Sequence, residues 1–309
     1  MQHKTYDFAE LIPEESVPFH LALLSKKENI VFISQNYDFL EKIHHNLNFL
    51  GCASALLAPR FSFYINHTSL NNYTFLQNYI KAFENPPKVM LIHDTLLSLP
   101  MPEPDAYGSF HLNAGKNIST QEITGQLSDF GYISSPVVHN PAEFAMRGYI
   151  VDFATTQENI RIEFLGSTIE SIKYFDTESQ RSSNSIEEIT IYPNNFLLPS
   201  FCNFEKFSAK YQIAFQEENS QLCENIVNHP ESCDINKYVN LLVNDTVNVL
   251  DLFDGKIYLH NLTHDRILEQ KEIKFFERTN KISHGSLYFS QEEIMKAYTN
   301  RDFQTIATL

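Results

Sequence analysis

The spacing of apolar residues changes character along this chain, and the changes divide it. Asn29 to Ser34 (NIVFIS) is a short apolar run rich in β-branched residues, which predicts a buried strand. In Asn36 to Leu50 the residues Phe39, Leu40, Ile43, Leu47 and Leu50 fall on one face of a 3.6-residue period, and Gly51 follows where a left-handed helix cap is expected. A second helical stripe, Tyr73, Leu76, Tyr79, Ile80 and Phe83, lies within Leu70 to Phe83, and Lys88 to His93 (KVMLIH) reads as another buried strand. Strands alternating with helices predict a parallel α/β sheet for the first hundred residues.

Pro100, Pro102 and Pro104 stiffen the next stretch, which closes at Gly108 and marks a domain boundary. Ser119 and Glu122 have capping-box spacing, Ile123, Leu127 and Phe130 continue a helix, and Gly131 ends it. From Val137 to Tyr192 the period drops to two. Tyr149–Phe153, Arg161–Leu165, Ile169–Phe175 and Glu188–Tyr192 read as strands, with Gly166-Ser167 as a hairpin connection. Arg161, Glu163, Glu170 and Lys173 alternate with apolar neighbours, as in an antiparallel sheet with one wet face. Helical patterns return in Lys206–Phe215, Thr246–Phe253 (ending at Gly255) and Thr263–Arg278, with a short strand at Lys256–Leu259 and a second capping box at Ser290 and Glu293.

Composition adds limits. The chain has 309 residues, more than one hydrophobic core usually holds. Its net charge of −15 opposes general affinity for nucleic acid, which rests on Lys and Arg displacing counterions, and favours a protein partner. Cys52, Cys202, Cys223 and Cys233 show neither a C-x-x-C pair nor tight spacing, so they read as buried thiols. The start lacks a cationic segment followed by an apolar one, and no apolar run reaches the roughly 20 residues of a membrane helix. A reducing cytoplasm is the compartment expected.

Catalytic signatures are missing. Gly51 is the first glycine of the sequence and follows the first strand and helix, so the loop that would cradle nucleotide phosphates has none. H-E-x-x-H, G-x-S-x-G and EF-hand patterns are also absent. His260 and His264, with Asp265, have the i, i+4 spacing of a metal pair, but a strand end followed by a helix cap is the simpler reading. Adjacent His44 and His45 point apart on a helix, and Asp251 and Asp254 read as helix-terminal polar residues. No catalytic residue, cofactor or metal is expected.

One ordered string carries more. FGY at Phe130–Tyr132 is followed by PAEFAMRGYIVDF at Pro141–Phe153, RIEFLGSTIESIKYFDTESQRS at Arg161–Ser182 and ITIYP at Ile189–Pro193. This resembles the UvrB-like module shared by UvrB and Mfd. The turn FDTESQRS and the lack of both a P-loop and a long hairpin place the resemblance on the Mfd side, the transcription-repair coupling factors. The resemblance implies a degenerate RecA-like parallel α/β domain in two segments, residues 1–110 and 196–309, with an inserted, mainly antiparallel β (α+β) domain at 111–195. Two departures stand out: the first domain lacks the usual glycine-containing degenerate loop, and no polymerase-binding domain or translocase motor follows, as in a fragment or a reduced stand-alone relative.

The resemblance also implies a role. The inserted domain of the family docks UvrA in nucleotide excision repair, and the family's contact positions fall on Arg147, Arg161 and Leu165. A planar guanidinium suits such contacts because it donates paired hydrogen bonds. Two readings stay open at each arginine: Arg147 either meets the partner or braces the turn at Gly148, and Arg161 either meets it or pairs with Glu170 or Asp176. Arg181 is assigned to its own turn, with Glu178 or Asp176 as partner, and Gly148 to backbone geometry or close approach. The expected partners are a UvrA-like protein and, within a longer chain, domains C-terminal to the module. Little or no direct contact with nucleic acid and none with a membrane is expected. A UvrB-like DNA-binding, damage-sensing module is the alternative, and a cryptic ATPase ranks last.

Overall fold

The computed structural model describes residues 11–58, 72–215, 220–230, 235, 238–261, 289, 293–294, 296, 301 and 303–308. The chain is α/β with an inserted, largely antiparallel β part. It divides into two compact units, one of residues 1–59, 81–103 and 203–309, the other of 60–80 and 104–202.

The first unit is built on a five-stranded parallel sheet of β1 (Ile30–Ser34), β2 (Ser54–Leu57), β3 (Val89–His93), β14 (Lys256–His260) and β15 (Phe303–Ile306), in the order β15-β14-β1-β3-β2. The central strand β1 is buried along its whole length, which is why its sequence runs apolar without alternation. Its Ile30 and Phe32 pack on helix α2 (Tyr37–Phe49) through Phe39, Leu40, Ile43 and Leu47, and on α1 (Val17–Leu24) through Val17 and Leu21. The Asn36 side chain accepts a hydrogen bond from the Phe39 N–H at 3.0 Å and caps α2, so the turn after β1 passes straight into the helix.

The expected helix at Thr246–Phe253 is not formed. Thr246–Val247 is a two-residue strand (β13) paired with Met101–Pro102 (β4), and only Val249–Leu252 makes a single 3-10 turn. Asn248 decides this, because its side chain accepts from Leu250 N–H and donates to the Leu97 carbonyl, which ties the backbone locally instead of letting a helix propagate. Gly255 is no left-handed cap either. A Cβ there would meet the Asn29 carbonyl oxygen at 2.9 Å, so glycine serves the close approach of β14 to β1. The Pro100–Gly108 stretch, expected as a domain boundary, supplies β4 and α4 (Pro104–Tyr107), and the division between the two units falls within it. The helix expected at 263–278, the second capping box at Ser290, Cys233, His264 and Asp265 lie outside the described residues. Cys52, Cys202 and Cys223 are free thiols.

His260 ends β14 as a satisfied core histidine. Its Nδ1 is 2.9 Å from Ser34 Oγ, its Nε2 3.1 Å from Thr308 Oγ1, and its ring lies against Phe39. Among the described residues no group of three or more His, Cys, Asp or Glu is arranged to hold a metal, and no helix is long and apolar enough to cross a membrane.

The second unit carries a six-stranded sheet of β6 (Ile133–Ser134), β7 (Glu143–Arg147), β8 (Ile150–Ala154), β9 (Asn159–Leu165), β10 (Thr168–Phe175) and β11 (Ser182–Ile186), neighbours in that order. All pairings are antiparallel except β6 with β7. Helix α5 (Thr120–Asp129) opens with the Ser119/Glu122 capping box and packs on β7 and β8, burying Ile123 and Leu127. Before and after this sheet the chain forms a clasp, β5 (Phe110–Asn113) antiparallel to β12 (Glu188–Ile191).

Burial pushes the His260 pKa down to about 4 from 6.5. The unfolded chain therefore takes up a proton that the folded ring refuses, so this contribution to stability is complete above pH 6.5 and is lost as pH falls from 6.5 towards 4. Urea unfolding over that range should show a decline of up to ~3 kcal/mol attributable to this group. The decline should be visibly flatter in His260→Gln; equal slopes in the two proteins would show that the ring protonates freely in the native state.

Candidate functional site

Strand alternation sorts the central sheet into two faces. Phe144, Val151, Phe153, Ile160, Ile162 and Ile172 are buried core. The other face carries Ala145, Arg147, Asp152, Arg161, Glu163 and Lys173. Asp152 sits directly opposite Arg161 in the β8–β9 ladder, and its side chain is 0% exposed.

A buried carboxylate needs partners on both oxygens, and two arginines supply them. Arg161 binds in a fork, Nε to Oδ1 at 2.7 Å and Nη2 to Oδ2 at 2.9 Å. Its remaining amine, Nη1, donates to the Gln180 carbonyl at 3.0 Å and to Ser182 Oγ at 3.2 Å, and the guanidinium lies 5.0 Å from the Phe175 ring centre. The Asp152 hydrogen bond raises the Arg161 pKa still further above its ordinary value. Arg147, at the end of β7, reaches the same Asp152 Oδ2 with Nη2, and that nitrogen also donates to Gln180 Oε1 at 3.2 Å.

Gln180 closes the arrangement. Its backbone is left-handed at φ 58, and its side-chain amide donates to the carbonyls of Val138 (3.0 Å) and Thr177 (2.9 Å). The turn that holds it is pinned by Asp176, whose Oδ1 accepts from Ser179 N–H at 2.7 Å and whose carboxyl these bonds hold below the usual range. The segment Phe175–Ser182 thus folds over Arg161 and supplies a ring, a carbonyl and a hydroxyl to it. Two cations share one anion here, so one positive charge is left over. Arg161 is buried, whereas the Arg147 side chain is 40% exposed, so the surplus faces solvent through Arg147.

The expected site residues are therefore placed differently from one another. Arg147 and Leu165 lie at the same end of the sheet, where the β7–β8 and β9–β10 hairpins turn, and Leu165 is 73% exposed. Arg161 lies further in and is buried; its partner is Asp152, not Glu170 or Asp176. Gly148, at φ 64 with no atom within 4 Å of a Cβ, serves turn geometry and not a close approach. Arg181 is exposed and no ion pair to Glu178 or Asp176 is formed. Its contribution to the turn is its carbonyl, which accepts from Asp176 N–H at 3.0 Å. Asp152 and Gln180 complete this arrangement, and sequence reasoning missed both. A lone Asp amid the apolar run IVDF, set against an Arg on the next strand, was the available signal for the first.

Comparison with known proteins matches this part of the chain. Residues 110–196 fit the family described as the UvrB interaction domain. The chain is 41% identical over 81 residues to the transcription-repair-coupling factor of Staphylococcus aureus (strain MRSA252). It is 37% identical over 81 residues to that of Staphylococcus haemolyticus (strain JCSC1435). Each match takes in 26% of this chain and 7% of the relative, so the chain matches a small part of those proteins. The matched segment contains Asp152 and both arginines.

Because Asp152 is the carboxylate that neutralises buried Arg161, Asp152→Ala should cost ~3–5 kcal/mol of unfolding free energy. Arg147→Ala leaves the Arg161 fork in place and should cost under about 1 kcal/mol. Chemical denaturation of both variants checks the contrast, and similar losses in the two would show that the arginines share the carboxylate equally.

Proposed function

We propose that this chain is a non-catalytic docking module of transcription-coupled nucleotide excision repair that recruits a UvrA-like protein through its central sheet. The single observation that carries the reading is the half-exposed Arg147, held by Asp152 and Gln180 at the sheet end and bearing the surplus positive charge of the cluster. A guanidinium already fixed loses little conformational entropy on binding, and its remaining N–H groups are oriented for an acceptor. The UvrB interaction domain match and the names of the curated relatives support the setting.

In this reading the residues divide their work. Arg147 and Leu165 meet the partner. Arg161 acts one layer behind, holding Asp152 so that Asp152 can hold Arg147. The partner chemistry that suits the site is a carboxylate or carbonyl beside an apolar surface. The cytoplasm is the compartment where such repair takes place.

The test is binding of the full chain to purified UvrA, measured by calorimetry. Arg147→Ala should weaken binding by more than ~1 kcal/mol while its unfolding curve stays close to that of the parent. Unaltered affinity in Arg147→Ala, or no binding of the parent chain at all, would overturn the proposal.

A further inference from the structure

The two hairpins at the Arg147 end of the sheet have the same design. Each has a two-residue loop whose first position is a glycine with positive φ, Gly148 at 64 and Gly166 at 65, and whose second position is not left-handed, the pattern of a type II′ turn. The second positions differ. One is Ser167, an ordinary turn residue, and the other is Tyr149, an aromatic side chain 67% exposed to solvent. Turn geometry does not ask for tyrosine, as its serine counterpart on the same sheet end shows.

Neighbouring residues make the tyrosine part of a surface. The Tyr149 carbonyl accepts from Phe164 N–H at 2.9 Å, which fixes the loop beside the end of β9 and next to Leu165. The ladder alternation sets Met146 on the face opposite Arg147 and Leu165, and Tyr149 stands in the loop that follows Arg147. Met146 is 48% exposed although its row, continued by Val151 and Ile162, is otherwise core. The sheet end therefore shows Arg147 and Leu165 on one face, Met146 on the other and the exposed Tyr149 on the loop between.

Resting on the docking role proposed above, we propose that Tyr149, with Met146 beside it, is a second anchor for the same UvrA-like partner, which straddles the sheet end and engages both faces. The occupant is the same protein because Met146 and Tyr149 flank Arg147 on one hairpin. A rigid aromatic with few rotatable bonds, next to an arginine already held in place, is the kind of side chain that dominates protein interfaces. The partner surface that fits is an apolar socket flanked by an acidic group, the socket for Tyr149 and Met146, the acid for Arg147. Specificity then comes from the spacing of the two, which a partner with only one of them cannot satisfy.

The experiment measures binding of purified UvrA to the full chain carrying Tyr149→Ala, Tyr149→Phe or Met146→Ala, with thermal unfolding of each variant and sedimentation of the chain alone. Tyr149→Ala is expected to weaken binding about tenfold, Met146→Ala by several-fold, and Tyr149→Phe little, with melting temperatures unchanged because these side chains are exposed. Full affinity in Tyr149→Ala alongside weakened Arg147→Ala would overturn this anchor and leave the docking role standing. Full affinity in both would remove the docking role itself. Self-association of the parent chain that Tyr149→Ala abolishes would assign the surface to a second copy, and so overturn the proposal too.

Discussion

The central sheet depends on one carboxylate buried between two arginines. Asp152 has no access to solvent, so its charge is tolerable only while Arg161 forks onto both of its oxygens, and Arg147 adds a further donor to one of them. Each of those arginines is in turn positioned by the group it stabilises. Much of the local architecture follows from meeting that requirement: the strand register that sets Asp152 against Arg161, the turn that brings Gln180 over them, and the ring of Phe175 beneath the guanidinium. An apolar residue in place of Asp152 would relieve the desolvation but leave Arg161 without an anion and Arg147 without a direction. The network therefore exchanges stability that a hydrophobic core could supply more directly for a cation with a defined orientation at the surface.

Part of each sheet is legible from residue spacing alone. β1, α2 and β3 follow from an apolar run, a 3.6-residue stripe and a second apolar run, because each buries a contiguous surface whose period is written in the sequence. In the central sheet β8, β9 and β10 follow from alternation with a period of two, and α5 from its capping box, whereas β6, β7 and β11 are too short or too polar to announce themselves. Thr246–Phe253 misled because its stripe of Val247, Leu250 and Phe253 satisfies a helix, whereas the side chain of Asn248 bonds to a residue about 150 positions away. A local pattern contains no information about a partner so distant.

The site was legible to a lesser degree and for a different reason. The arginines stand out in the motif string, but whether a given arginine faces a partner or an internal carboxylate depends on which strand lies opposite. Register assigns Arg161 to Asp152, a pairing that no sequence interval suggests, and only then does the division between a buried brace and an exposed contact appear. Gln180 was invisible for a related reason. Its role rests on a left-handed backbone that turns a polar side chain inward, and glutamine has no preference that would announce it. The string FDTESQRS, useful for recognising the family, is explained by what it covers.

The clasp of β5 with β12 brings the places where the chain enters and leaves the central domain side by side, with Leu112 opposite Ile189. The ladder itself offsets the entropy of closing the long loop between these two strands, so the strands inside that loop can settle their register against one another locally.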